Sequence, residues 1–292
     1  MDPLIAKPLQ EHFGIFLFAL FVSLITTFIA WYKSYFRLPP QDVSEVKLHW
    51  GHLIGAFAIY FLVAFAVSTL ASWYLNGLSA EAKQKLFLEI NAVKAWINLI
   101  AMAVVLVALL IYLQFLGKNI LQIVVGQSCN RLRDFGMGIV SWLISFPLVI
   151  AMSQFANMLM ILFHWQSQEQ IAVRFFKSTM PNPVVYIITC IFVVLIIPLI
   201  EEIIFRGFLQ NWLLNFFGRK RAIIITAIIF SLFHFSVSQG YGNVEIIPTL
   251  FVLACFLGFI YARQKSIYAS WGLHATFNGI NVLFMSIAQG TS

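Results

Sequence analysis

Residues 183–208 read PVVYIITCIFVVLIIPLIEEIIFRGF, an apolar stretch interrupted by two glutamates and an arginine. No charged residue occurs from Pro183 to Ile200, and apolar residues resume after the glutamates and continue to Phe217. About 20 apolar residues suffice for a helix to cross a bilayer. An ionisable side chain inside such a helix costs about 2.5–3.5 kcal/mol, so it normally faces the bundle interior or a cavity and carries function. The stretch therefore predicts a membrane span with a functional site in it.

The rest of the chain has the same character. Of its 292 residues 61% are hydrophobic and 10% charged, whereas soluble domains are about half apolar and a quarter charged. We therefore predict an all-α, polytopic integral membrane protein. Residues 1–182 would hold transmembrane spans 1–4, and residues 183–292 would form a catalytic region with spans 5–8. The charge-free apolar runs place about eight spans near 13–32, 52–74, 96–116, 136–163, 184–217, 222–238, 246–262 and 267–287.

The net charge of +7 reflects topology in this interpretation and does not indicate a nucleic-acid partner. Lysines and arginines lie at the ends of apolar runs and do not form a patch with interleaved aromatic residues. If all eight spans cross, the loops after odd-numbered spans hold most of them. The positive-inside rule then predicts cytoplasmic odd loops, with both termini outside, for a multi-pass protein of the plasma (inner) membrane.

Helical spacing separates the two glutamates. Glu202 and Arg206 are four residues apart, which allows a charge-assisted pair on one helix face. Glu201 is turned about 100° away and is left without a partner in this motif. We therefore expect Glu202 to be structural and Glu201 to be chemical. The alternative is that the span ends at Ile200 and both glutamates lie in headgroup water.

Two later apolar segments each contain a histidine. Phe230 and His234 are four residues apart, as are His274 and Asn278, so each pair shares a helix face. A glutamate and an imidazole that converge on water can activate it, while a second imidazole and an amide can donate hydrogen bonds to an oxyanion. This combination suits amide hydrolysis. Glu201, His234 and His274 are also admissible zinc ligands, so a Zn²⁺-bound water is the alternative.

The three segments together resemble a known family. Glu201-Glu202-Ile-Ile-Phe-Arg206 looks like the EExxxR motif of the CPBP family, the CAAX protease and bacteriocin-processing (Abi) intramembrane proteases, which include the type II CAAX prenyl endopeptidases. Phe230 to His234 resembles its FxxxH motif and His274 to Asn278 its HxxxN motif, in the family's order. The resemblance covers about residues 183 to 287.

The resemblance implies an eight-helix membrane fold with an active site open to membrane and cytosol. By this analogy Glu201 and His234 activate water, and His274 and Asn278 form the oxyanion site. Glu202, Arg206 and Phe230 take supporting roles. Relatives are described both as metalloproteases and as glutamate-type proteases, so the resemblance leaves the zinc question open.

The expected function is intramembrane endopeptidase activity near the cytoplasmic face. The substrate would be a membrane-associated or prenylated (CaaX-type) protein or peptide. Two alternatives stay open at this point. One is a proton-coupled transporter that uses the glutamates and histidines as a relay, and the other is a catalytically silent bacteriocin-immunity or scaffold protein.

Overall fold

A computed structural model describes residues 3–40, 47–79, 90–166 and 168–290. The described part of the chain is helical and contains no strand, which confirms the all-α fold class. Its N-terminal helices are α1 (Pro3–Tyr32), α2 (Trp50–Gly77), α3 (Ile90–Phe115), α4 (Lys118–Val125), α5 (Arg131–Leu162) and α6 (Ile171–Thr179).

The C-terminal part continues almost without a break. It comprises α7 (Pro183–Ile191), a π-helical segment π1 (Phe192–Ile196), α8 (Ile197–Glu202), a second π-helical segment π2 (Ile203–Gln210), α9 (Asn211–Leu232), a 3₁₀ turn (Val237–Gln239), α10 (Asn243–Gln264) and α11 (Ile267–Gly290).

Six helical stretches in the described residues are long and apolar enough to cross a membrane. One of them, Pro183–Leu232, bends at Gly218, whose φ of 70° is in the region that glycine tolerates best. This break lies between the predicted fifth and sixth spans. The predicted eighth span forms α11 but is not among the six, because polar residues such as His274 and Asn278 lower its mean hydropathy. The prediction of about eight spans is thus approximate, while the integral membrane fold is confirmed.

The helices pack around α5, which contacts α1, α10 and α11, while α2 contacts α3 and π2. The main core cluster mixes side chains from both predicted regions, such as Leu109, Phe208 and Phe230. Large apolar side chains such as Phe18 and Leu62 are exposed on the outside, as expected for a surface in contact with lipid. The two predicted regions share this core, and the division at residue 182 stays a prediction.

Two glycines let α11 approach α5 closely. A Cβ added to Gly272 would lie 2.4 Å from the Phe135 carbonyl oxygen, and one added to Gly138 would lie 2.3 Å from the Ala269 carbonyl oxygen. Both contacts join backbone to backbone, so only a residue without a side chain fits. They fix the position of α11, which carries His274.

The short helix α4 lies in one of the basic loops, and the residue after it contacts another. Gly126, directly after α4, forms an isolated bridge with Ser266, and a Cβ on Gly207 of π2 would touch Val124 of α4. The loops after the predicted third and seventh spans are therefore neighbours. Two loops in contact must lie on the same side of a membrane, as the predicted topology requires.

Candidate active site

The glutamate pair lies at the end of α8, between the two π-helical segments. In a π turn each carbonyl accepts from the N–H five residues later, and Ile197 N–H indeed donates to the Phe192 carbonyl. The next donor in this register would be Pro198, which has no N–H. The Val193 carbonyl is instead satisfied by Asn278 Nδ2 of α11, at 2.9 Å. Pro198 thus leaves the Val193 carbonyl available, and the hydrogen bond from Asn278 to this carbonyl holds π1, and with it the helix of Glu201, against α11.

Glu202 and Arg206 form an ion pair at the spacing that the sequence predicts. Arg206 Nη1 is 3.2 Å from Glu202 Oε1, and both side chains are fully buried. The guanidinium also donates to the Ala254 carbonyl at 3.4 Å and lies 4.4 Å from the centroid of the Phe230 ring, within cation–π distance. This burial is incompatible with glutamates that lie in headgroup water.

Glu202 has a second partner that sequence reasoning missed. His274 Nδ1 lies 2.9 Å from the same Oε1 atom that faces Arg206. With Glu202 ionised by its arginine, the imidazole must be the donor, so Nδ1 carries a proton. The carboxylate thereby orients the ring and presents Nε2 to Glu201, whose Oε2 is 3.6 Å away. A carboxylate behind a functional histidine commonly has this orienting role.

His234 lies two residues beyond the end of α9 and reaches Glu201 from the other side. Its Nδ1 is 2.9 Å from the Phe230 carbonyl, which can only accept, so Nδ1 again carries the proton. Its Nε2 is 4.0 Å from Glu201 Oε1. Gln239 holds the following loop by donating to the His234 carbonyl at 3.1 Å.

The carboxylate of Glu201 therefore lies between two imidazole Nε2 atoms. Exposure increases across this group: the His274 side chain is 6% exposed, Glu201 19% and His234 34%. The site is consequently closed on the α11 side and opens beside His234.

The structure thus brings together six of the seven predicted residues: Glu201, Glu202, Arg206, Phe230, His234 and His274. Asn278 lies one turn beyond His274, but its hydrogen bond goes to Val193 and not to these six. The amide has a second N–H after that bond. Pro198 was the sequence signal that could have indicated this contact.

The zinc alternative stays open in this geometry. Among the residues that the structure describes, no three His, Cys, Asp or Glu side chains form a group that could hold a metal. Zinc needs nitrogen and oxygen ligands about 2.0–2.2 Å from the ion. Two ligands of one tetrahedral ion with such bond lengths lie about 3.3 Å apart, so the separations of 4.0 and 3.6 Å between the Nε2 atoms and the Glu201 oxygens do not exclude a shared ion. Zinc held by Glu201, His234 and His274 therefore stays a prediction.

Comparison with known proteins gives a family match for the C-terminal part of the chain. Residues 183–280 match the family model of the type II CAAX prenyl endopeptidase Rce1-like proteins. The matched segment, about a third of the chain, contains all three motifs and confirms the resemblance that they predict. No curated protein and no solved structure matched the chain. The match supports an intramembrane protease of the CAAX type, in an integral membrane protein.

Proposed function

We propose that the chain, with its CAAX-type peptidase segment, is an intramembrane endopeptidase in which Glu201 and His234 activate water. The observation that carries this proposal is the position of the Glu201 carboxylate, 4.0 Å from His234 Nε2 in a partly exposed site inside a helix bundle. That distance is too long for a direct hydrogen bond. It is the separation at which one water molecule bridges two acceptors.

In this mechanism the water donates to Glu201 and to the Nε2 lone pair of His234. Its oxygen attacks the carbonyl carbon of the scissile peptide, and its proton moves to one of these two groups. The protonated group then donates to the amide nitrogen as the C–N bond breaks. Neither base is consumed, because the proton taken from water leaves with the amine product.

Buried groups hold the catalytic ones in place. Glu202, neutralised by Arg206, keeps the His274 ring turned towards Glu201. We assign His274 and Asn278 to the oxyanion that forms on the carbonyl oxygen. Since His274 Nδ1 already donates to Glu202, this imidazole can donate through Nε2 only when it is doubly protonated. The second N–H of Asn278 needs no such change.

Aromatic side chains beside the site favour a substrate with an apolar group. Phe205 packs edge-on against Phe230 and Phe233, with ring centroids 5.1 and 5.3 Å apart. Phe205 directly precedes Arg206 and Phe233 directly precedes His234. Phe205 and Phe230 are buried, whereas Phe233 is exposed beside His234. A prenylated CaaX-type protein or another membrane-anchored peptide would contact the exposed Phe233 ring, which does not discriminate between these substrates.

The basic loops support cleavage near the cytoplasmic face of the plasma (inner) membrane. Gly207 packs on Val124 of α4, in the basic loop predicted to be cytoplasmic. Glu201 precedes Gly207 by six residues, about 9 Å along a helix. The site would therefore be about 9 Å from the level of α4, the short helix of this basic loop.

Two non-proteolytic alternatives predict different results. A proton-coupled transporter of the inverted-repeat type has related halves with broken helices in corresponding positions, whereas the described polar cluster comes from residues 201–274 alone. A silent scaffold or immunity protein would keep the fold without cleaving peptides.

The test uses the purified full chain in detergent, with a farnesylated CaaX peptide and a library of membrane-proximal peptides. We expect cleavage by the wild type and a loss of about 10²–10⁴-fold in rate for Glu201→Gln and for His234→Ala. The control His49→Ala, at the exposed start of α2, should cleave like the wild type. Full activity in Glu201→Gln or His234→Ala would refute the assigned roles, and no cleavage by the wild type would favour the silent scaffold.

A further inference from the structure

Helix α2 lies outside the matched segment, yet it packs against the site. The Phe57 ring is 5.8 Å from the Phe205 ring and 5.6 Å from the Phe233 ring, measured between centroids. Phe61, one turn further along α2, is 6.0 Å from Phe233. Since Phe233 directly precedes His234, α2 borders the site on the side where it opens.

Tyr60 lies between these two phenylalanines on α2. Its side chain is partly buried against the core cluster that contains Phe205 and Phe230. Glu201, far away in the sequence, acts electrostatically on the Tyr60 hydroxyl. Within the described residues this hydroxyl has no hydrogen-bond partner. The phenol is thus on the face of α2 that packs beside Phe233 and His234, and it is close enough to Glu201 for the two groups to interact electrostatically.

The proposed reaction needs hydrogen-bond donors for its oxyanion, and the known donors of the site are largely committed. Both histidines use their Nδ1 protons, one on Phe230 and one on Glu202. Asn278 uses one of its two N–H groups on Val193. A fixed donor at an oxyanion accelerates acyl transfer by about 10²–10³-fold. A phenol O–H on the face of α2 that packs against Phe233, next to His234, is suited to this role.

We propose that Tyr60 is a further catalytic residue, whose hydroxyl donates a hydrogen bond to the carbonyl oxygen of the scissile peptide. No bond to Tyr60 is made or broken, and its proton stays on the phenol. The inference rests on the peptidase function proposed above. It also makes the N-terminal part of the chain a contributor to the active site, through the face of α2 that carries Phe57, Tyr60 and Phe61.

The test is Tyr60→Phe, which removes the hydroxyl and keeps the ring. We expect kcat to fall about 10²–10³-fold while KM changes by less than about threefold, because the donor acts mainly in the transition state. The matched control is Tyr112→Phe. The Tyr112 hydroxyl donates to the His52 carbonyl of α2 at 3.3 Å, so this variant also loses a hydroxyl at α2, and its kcat should equal that of the wild type.

Rates are referred to the amount of monodisperse protein, so that a loss of folded enzyme does not count as a loss of kcat. Tyr60→His and Tyr60→Leu are made in parallel. The histidine variant, which has an N–H donor, should retain more kcat than the leucine variant.

Three outcomes would overturn the assignment of Tyr60: an unchanged kcat in Tyr60→Phe, a loss confined to KM, or equal activity of the histidine and leucine variants. If these occur while Glu201→Gln is inactive, the peptidase function stands and only Tyr60 is wrongly assigned. If the wild type cleaves nothing, both proposals fail together.

Discussion

Neutralising Glu202 should destabilise the protein far more than neutralising its neighbour. Glu202→Gln keeps the shape of the side chain and an oxygen that can accept from His274 Nδ1. It removes only the negative charge that faces Arg206 at 3.2 Å. The variant therefore isolates the buried ion pair from the hydrogen bond to the histidine.

The structure sets the size of the effect. Arg206 is fully buried, and without the carboxylate it would keep only a 3.4 Å hydrogen bond to Ala254 and its contact with the Phe230 ring. Breaking a buried pair by removing one partner costs about 3–5 kcal/mol in free energy of unfolding. Since proteins are stable by about 5–15 kcal/mol, this is a large share of the total.

Glu201→Gln is the control on the adjacent residue. The Glu201 side chain is partly exposed and its nearest imidazole nitrogen is 3.6 Å away, so its neutralisation should abolish cleavage with little change in stability. Thermal unfolding in detergent micelles, followed by tryptophan fluorescence, should show a much lower Tm for Glu202→Gln than for Glu201→Gln. A second substitution, Arg206→Met, should restore most of the loss, because it removes the stranded charge.

Equal Tm values for the two glutamine variants would refute this division between a structural and a chemical glutamate. So would a double variant, Glu202→Gln with Arg206→Met, that is no more stable than Glu202→Gln alone. In either case the buried arginine would not depend on Glu202 for its charge balance.

Two further predictions concern α11 and the metal. In Gly272→Ala the new Cβ would lie 2.4 Å from the Phe135 carbonyl oxygen and displace the helix that carries His274. The free energy of unfolding should therefore fall by about 1–3 kcal/mol, and kcat should also fall. The control is Gly279→Ala, which should be neutral or slightly stabilising because its Cβ would meet Val194 at an ordinary 3.5 Å. Equal Tm values for these two alanine variants would contradict the close approach of α11 and α5. Treatment with a chelator such as phenanthroline should leave kcat unchanged if Glu201 and His234 activate water without a metal. Activity that is lost on chelation and restored by zinc would contradict this metal-free mechanism.

Much of the fold was predictable because the bilayer makes each span a local property of the chain. Charge-free apolar runs located the long helices, and even the boundary between the predicted fifth and sixth spans coincides with the break at Gly218. Among the described residues, α11 does not meet the criterion for a membrane span, because it carries polar residues of the site, and the predicted sixth span meets it only as part of the stretch Pro183–Leu232. The positive-inside topology stays a prediction, although the bridge between Gly126 and Ser266 joins two of its basic loops.

The pairing of Glu202 with Arg206 was predictable for the same reason, since it depends on helical spacing within one segment. The π-helical segments were not predicted, although Pro198 could have indicated the carbonyl that Asn278 satisfies. The three motifs predicted the resemblance to the family, and the match over residues 183–280 confirms that resemblance for the C-terminal segment.

By itself, the sequence determined the helical membrane fold, the ion pair within one helix and the family of the C-terminal segment, because each depends on residues close together in the chain. Only the tertiary structure decided that Glu202 orients His274, that Glu201 lies between two imidazoles, and that α2 packs against Phe233 beside His234. These relations join residues that are dozens of positions apart or more. Periodicity specifies which face of a helix a residue occupies, but the packing of helices against one another decides what that face meets.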